Sequence, residues 1–319
     1  MEIIKILKGG SLSSTLVVSH SGKKFVRKSI CFTENREYGL VRWHSQIRKI
    51  QTLNKFMPES TICIDNMGVD GNTYYYEAPY YEGAHNCFDA LLNGESPDLL
   101  ASKISILLGR MSEVSYGYNV GALAIYINEE VLLPLMNAFD LAITGKLPLQ
   151  SNESSFFIDS IGEAIENTKK LALSVRDSRI LESLTHGNLT LENIIWDFRR
   201  KEPIMIDPYA ETYCETIIGD VSQLLQSSRN GYEFISNLLE TNEFYVHQYP
   251  ISEIPACLNS FSTSLLQRVS TENWFSKEYL SILTASQFIR MFPFKQATNP
   301  RQGLLFLYHG IQLLKESLC

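Results

Sequence analysis

What most constrains this chain is a change of pattern near Gly83: short β-rich runs around one helix precede it, and long helical periods broken by one hairpin follow it. Ile3 to Leu7 and Leu16 to Ser19 are β-rich runs on either side of Gly9-Gly10-Ser11-Leu12-Ser13-Ser14-Thr15. The turn His20-Ser21-Gly22-Lys23 leads into a third run, Lys24 to Ile30, which predicts an antiparallel meander. From Thr33, a fitting N-cap, to about Phe56, the residues Leu40, Val41, Trp43, Ile47, Ile50 and Leu53 recur at helical intervals. Further strands are expected at Ile62 to Met67 and Thr73 to Ala78. Helical patterns then cover roughly Asp98 to Ser115, Glu129 to Thr144, Ser154 to Ser174 and several stretches after Asp220. The one β interruption lies between Asn193 and Asp207, where Ile194-Ile195-Trp196 and Pro203-Ile204-Met205-Ile206 flank the polar turn Asp197 to Glu202. The expected fold is α+β in two lobes: residues 1–83, a small antiparallel β lobe with one helix, and residues 84–319, a larger and mainly helical lobe.

Composition narrows the partners. With 319 residues, 45% hydrophobic and 20% charged, the chain is long enough to bury two cores and has an ordinary globular balance. Its net charge of -7 and lack of a Lys/Arg cluster argue against nucleic acid. The six cysteines form no C-x-x-C pair and have no histidine at ligand spacing, which argues against zinc. The opening MEIIKILKGG has too short an apolar stretch for a signal peptide, and the most apolar segment, Val120 to Thr144, is interrupted by Glu129, Glu130 and Asp140. A reduced, cytoplasmic protein without a membrane partner is expected. The sequence carries no sign of its oligomeric state.

The chemistry concentrates in Leu184-Thr185-His186-Gly187-Asn188-Leu189-Thr190-Leu191-Glu192-Asn193-Ile194-Ile195-Trp196, followed by Asp207 in Ile206-Asp207-Pro208. This stretch resembles the catalytic core of the aminoglycoside phosphotransferase and choline kinase family, small-molecule relatives of protein kinases. Their pattern is H-G-D-x-x-x-x-N, a β hairpin, then I-D. One element departs from it: Asn188 stands where the family has its catalytic aspartate. The resemblance implies a protein-kinase-like fold that uses ATP and Mg2+. It implies that Asn193 and Asp207 ligate the metal and that His186 braces the loop. An ordinary N-capped turn followed by an isolated strand-end acid is the alternative. Downstream, Asp220 in Ile217-Ile218-Gly219-Asp220 resembles the aspartate that opens a helix and bonds back to the catalytic loop, and it is equally a good helix N-cap.

Strand alternation puts Val26 and Lys28 on one face and Phe25, Arg27 and Ser29 on the other, so Lys28 calls for an anion. By resemblance that anion is the α- and β-phosphate pair, with Glu37, or in reserve Glu34, as the helix's partner carboxylate. A solvated lysine and a surface glutamate are the alternatives. Gly10, Ser11 and Ser13 occupy the turn where kinases fold a loop over ATP phosphates, although a Ser/Gly turn in a hairpin is often only a turn. Tyr74 to Gly83, with Ala78 and Tyr80, ends the small lobe in the manner of a kinase hinge that grips adenine.

Asparagine at 188 has no carboxylate to take a proton from an attacking hydroxyl, help typically worth about 10²- to 10⁴-fold. Nucleotide binding is expected to survive and transfer to be weak. An inactivated kinase, a natural pseudokinase and an enzyme that repurposes the fold all fit. The chain lacks an A-P-E segment, which favours a small-molecule hydroxyl over a protein as acceptor, such as a sugar, amino alcohol or aminoglycoside. Glu211 and Glu215 are candidates to meet an amine or polyol, or else solvated charges. Two functions of different class stand: an ATP-dependent small-molecule phosphotransferase, and a nucleotide-binding pseudokinase that acts as an interaction module.

Overall fold

The computed structural model describes residues 2–7, 13–31, 38–149, 154–210, 212–236 and 254–318. The chain divides into two compact units, one of Met1–Ala90 with His186–Thr212, the other of Leu91–Thr185 with Tyr213–Cys319. Residues 186–212, with the loop His186–Asn193 and the hairpin after it, thus group with the amino-terminal residues.

The first unit is built on a five-stranded antiparallel sheet in the order β1-β2-β3-β5-β4. Its strands are β1 (Glu2–Leu7), β2 (Ser14–His20), β3 (Lys23–Cys31), β4 (Asn66–Asp70) and β5 (Thr73–Pro79). Helix α1 (Tyr38–Phe56) turns Trp43, Ile47 and Ile50 to Ile30, Tyr76 and Ala78 of the sheet, and Ile62 and Ile204 complete this core. The Trp43 ring packs tilted against Tyr76 with centroids 5.3 Å apart, and truncating this buried side chain would cost about 3–5 kcal/mol. The expected helix start at Thr33 lies outside the described residues.

The expected strand at Ile62 to Met67 is displaced, because the two-residue turn Gly71-Asn72, with Gly71 at φ +57, sets the β4–β5 register from Asp70↔Thr73 back to Asn66↔Glu77. The segment before it does different work. Ile62 N–H donates to the Met205 carbonyl at 3.3 Å and Met205 N–H to the Ser60 carbonyl at 2.8 Å, which ties the hairpin that ends at Met205 to the residues after α1. That hairpin, β9 (Ile194–Asp197) and β10 (Glu202–Met205), forms a three-stranded sheet with β6 (His85–Asn86). The Asp197 carboxylate shapes its turn by accepting from the N–H groups of Arg199 and Arg200.

The chain passes through α2 (Cys87–Leu92) into the second unit, which is mainly helical: α3 (Pro97–Glu113), α4 (Ala122–Ile127), α5 (Leu133–Ile143), α6 (Ser154–Ser174), α7 (Ile217–Ser228), α8 (Tyr232–Ser236), α9 (Ala256–Val269), α10 (Lys277–Ile289), α11 (Phe292–Thr298) and α12 (Pro300–Leu318). The expected helix from Glu129 to Thr144 instead begins at Ala122 and contains a π-helical stretch, Asn128–Leu132, between α4 and α5. Ala122–Ile143 is long and apolar enough for a membrane span, yet half of it is buried within the protein. Helices α10 and α12 approach so closely that a Cβ on Gly310 would stand 2.6 Å from Ile289 Cγ1. A two-stranded sheet of β7 (Ser115–Val120) and β8 (Arg179–Ser183) also interrupts this unit, contrary to the expectation of a single β interruption. Its strands pair across the whole of α4 to α6, and every residue of β7 is exposed, so no buried alternation marks it.

Candidate active site

The loop from His186 to Asn193 is held against the residues after β10 by main-chain and side-chain bonds. Tyr209 N–H donates to the His186 carbonyl at 2.9 Å, and Ile206 N–H donates to the Asn193 carbonyl at 2.9 Å. Between these ties Gly187 adopts φ +76, and a Cβ there would lie 2.3 Å from the Tyr209 carbonyl oxygen, so glycine alone allows this approach. His186 is fully buried, and burial pushes its imidazole down to about 4, against the opposing pull of the Ile206 carbonyl. Neutral at pH 7, its Nε2–H donates to Ile206 O at 2.8 Å. Its geometry is that of a brace for the loop.

Asn193 closes a 3₁₀ turn, Leu191–Asn193, and its Nδ2 donates to the Asn188 carbonyl at 2.8 Å. With the amide nitrogen engaged there, Oδ1 is the acceptor left for a cation. Asn188 Nδ2 reaches the Asp207 main-chain oxygen at 3.3 Å. Asp207 itself sits at φ +53, a left-handed conformation that costs a non-glycine residue about 1–2 kcal/mol and that the surrounding bonds sustain. Its Oδ1 accepts from Lys28 Nζ at 2.6 Å.

Lys28 lies on β3 between Thr15 of β2 and Tyr76 of β5, and only 8% of it is exposed. The anion that strand alternation calls for is therefore Asp207. Burial, with the Asp207 charge second, raises the Tyr76 phenol well above its ordinary value. On the opposite face of the same two strands lies a network not anticipated from the sequence. The fully buried Glu77 carboxylate accepts from Arg27 Nε at 2.8 Å, from Asn66 Nδ2 at 3.1 Å and from His20 Nε2 at 3.2 Å. Burial works to raise its pKa, but these hydrogen bonds outweigh burial and hold it below the usual range. A glutamate opposite an arginine in register was the only signal, and register is not visible before the strands are paired.

Gly10, Ser11, Glu37 and the reserve Glu34 lie outside the described residues, as does Glu211. Ser13 is half-buried just before β2. Ala78 is buried in the core under the sheet, and Tyr80 N–H donates to the Lys24 carbonyl at 3.3 Å. Asp220 belongs to the second unit, where it is buried in the first turn of α7. The N-cap of that helix is Thr216, so the capping alternative for Asp220 does not hold. In the same unit Glu215 accepts from the Thr185 hydroxyl, its N–H donates to Glu182 Oε1 at 3.4 Å, and burial together with Glu182 and Glu215 pushes the Cys214 thiol up to about 12.

The Asp207 carboxylate and the Asn193 amide oxygen are donors of the kind a hard divalent ion takes, to which oxygens from a ligand would have to be added. Among the described residues no group of three or more His, Cys, Asp or Glu side chains is placed to hold a metal, so an ion here would depend on such ligand oxygens.

No protein-family profile and no curated protein sequence matches the chain. Solved structures do resemble it. A glucosamine kinase in complex with glucosamine, ADP and inorganic phosphate aligns over 99% of this chain and 93% of its own, with TM-score 0.52 and 12% identity. A putative fructosamine-3-kinase from Haemophilus somnus 129PT aligns over 99% and 90%, with TM-score 0.55 and 10% identity. At such identities the likeness establishes the fold: a kinase-like α+β architecture with an antiparallel sheet and a larger helical part, as expected.

Proposed function

We propose that this chain is an ATP-dependent kinase that phosphorylates a hydroxyl of a small molecule, with an amino sugar, sugar or amino alcohol as the acceptor class. The observation that carries this reading is the meeting of Lys28 and Asp207 at 2.6 Å beside an Asn193 amide whose oxygen is left for a cation. Lys28 would hold the α- and β-phosphates, and Asn193 and Asp207 a magnesium ion. The ion, when bound, neutralises charge on the phosphate oxygens. Gly10, Ser11 and Ser13 would cover the phosphates, Glu37 would support Lys28, and Ala78 and Tyr80 would border the adenine. His186 would brace the loop. Two of the solved structures similar to this chain are named for a glucosamine and a fructosamine kinase, one of them holding ADP, which favours ATP and a sugar-derived acceptor.

The test is thermal unfolding with and without Mg-ATP, on the parent and on Asp207→Ala. Nucleotide at a hundred times its Kd stabilises by about 2.7 kcal/mol, a shift of several degrees. A shift in the parent that Asp207→Ala abolishes supports the reading, and no shift in the parent refutes it.

A second reading, a nucleotide-binding pseudokinase that serves as an interaction module, is favoured by one observation. Asn188 donates a hydrogen bond to the Asp207 carbonyl, which an ionised aspartate cannot do. Phosphoryl transfer by Asn188→Asp separates the two readings, since transfer supports the kinase and its absence the module.

A further inference from the structure

One carboxylate oxygen serves two masters in the proposed site. Lys28 Nζ donates to Asp207 Oδ1 at 2.6 Å, yet Asp207 is also the one carboxylate assigned to the metal. The lysine is almost wholly enclosed, whereas the Asp207 side chain is 35% exposed. A divalent ion that reaches this carboxylate from the exposed side would stand within a few ångströms of a fixed ammonium, where like charges repel and little water screens them. Lys28 has no second carboxylate among the hydrogen bonds it makes with described residues.

We infer that Lys28 and the divalent ion compete for Asp207, so that the ion binds poorly alone and gains affinity only when a polyphosphate draws the lysine away. This rests on the reading of Asp207 as a metal ligand and deepens it: Lys28 becomes the residue that makes metal and nucleotide binding interdependent. Because binding couplings are reciprocal, the factor by which the nucleotide tightens the ion equals the factor by which the ion tightens the nucleotide. Asp207 stands at φ +53 with its main-chain oxygen accepting from Asn188 Nδ2 at 3.3 Å, which fixes the backbone position from which its carboxylate reaches Lys28.

The experiment titrates Mn2+ as a stand-in for magnesium and reads free Mn2+ by electron paramagnetic resonance, with and without ADP, allowing for Mn2+–ADP formed in solution. The proteins are the full-length parent, Lys28→Met, and Lys28→Met combined with Asp207→Asn, each checked for folding by circular dichroism. Lys28→Gln replaces Lys28→Met if the latter does not fold. The parent is expected to bind Mn2+ at least tenfold more tightly with ADP than without. Removal of the lysine is expected to raise affinity for Mn2+ alone at least tenfold, and Asp207→Asn to cancel that gain. If the lysine variants bind Mn2+ alone no better than the parent, while the parent still takes up Mn2+ with ADP, the competition is overturned and the metal site stands. If the parent takes up Mn2+ in neither condition, the metal site fails and the inference falls with it.

Discussion

Lys28 and Asp207, 179 residues apart in sequence, meet at 2.6 Å between the third strand of the sheet and the residues that follow the β9–β10 hairpin. The pair is one-sided in its exposure, which decides what breaking it does. Asp207→Asn keeps an amide oxygen that can accept from the enclosed Lys28 at a position open to water, so its cost in urea unfolding is expected to stay near 1 kcal/mol. The same change is expected to remove stabilisation by Mg-ATP. A loss of several kcal/mol without nucleotide would show that the pair serves the fold and not a ligand.

Gly187 is the tightest point of the loop. A methyl group there would meet the Tyr209 carbonyl and would occupy a left-handed conformation, so Gly187→Ala is expected to cost about 2–4 kcal/mol. Equilibrium denaturation measures the loss, and a variant as stable as the parent would contradict the clamp between His186 and Tyr209.

Glu77 tests the opposite face of the sheet. Glu77→Ala leaves Arg27 buried without its main carboxylate and is expected to destabilise by about 3 kcal/mol. Replacing both residues, as in Glu77→Leu with Arg27→Met, is expected to recover much of that loss. Additive losses in the double-mutant cycle would be incompatible with this coupling.

His309 supplies a pH dependence in the second unit. Burial against Phe288 at 4.6 Å pushes its imidazole down to about 4, while a backbone hydrogen bond at Asn230 pulls the other way. The folded pKa lies below the ordinary 6.5, so the unfolded chain takes up the proton first as pH falls. The stability is whole above about pH 6.5 and is lost between there and about pH 4. His186 has the same sign and range. Each histidine should cost about 2 kcal/mol between pH 7 and 5. His309→Leu should flatten the profile by one histidine's share, and an unchanged slope would remove His309 as a cause.

Asn188→Asp is expected to raise phosphoryl transfer to a suitable acceptor by roughly 10²- to 10⁴-fold. The same variant loses the Asn188 donor to the Asp207 carbonyl, so a small fall in melting temperature is expected alongside. Assays of ADP release with amino sugars as acceptors read the first effect and calorimetry the second.

Local pattern carried much of this protein. The meander, the helix ending at Phe56, the helix Ser154–Ser174 and the hairpin after Asn193 are all set by hydrophobic period and turn residues that neighbours in sequence supply. His186, Gly187, Asn188, Asn193 and Asp207 could be singled out for the same reason, since their spacing spans one loop and one hairpin. Tertiary structure alone decided the rest. The β7–β8 pair joins an exposed strand to one distant in sequence, the turn at Gly71 overrides the strand expected at Ile62, and Glu77 gains its partners only when β3, β4 and β5 lie side by side. Most consequentially, strand alternation required an anion for Lys28, and the resemblance offered phosphates and Glu37 but not Asp207. Pairing buried charges is a matter of distance through space, and only the folded chain brings the carboxylate of Asp207 to that lysine.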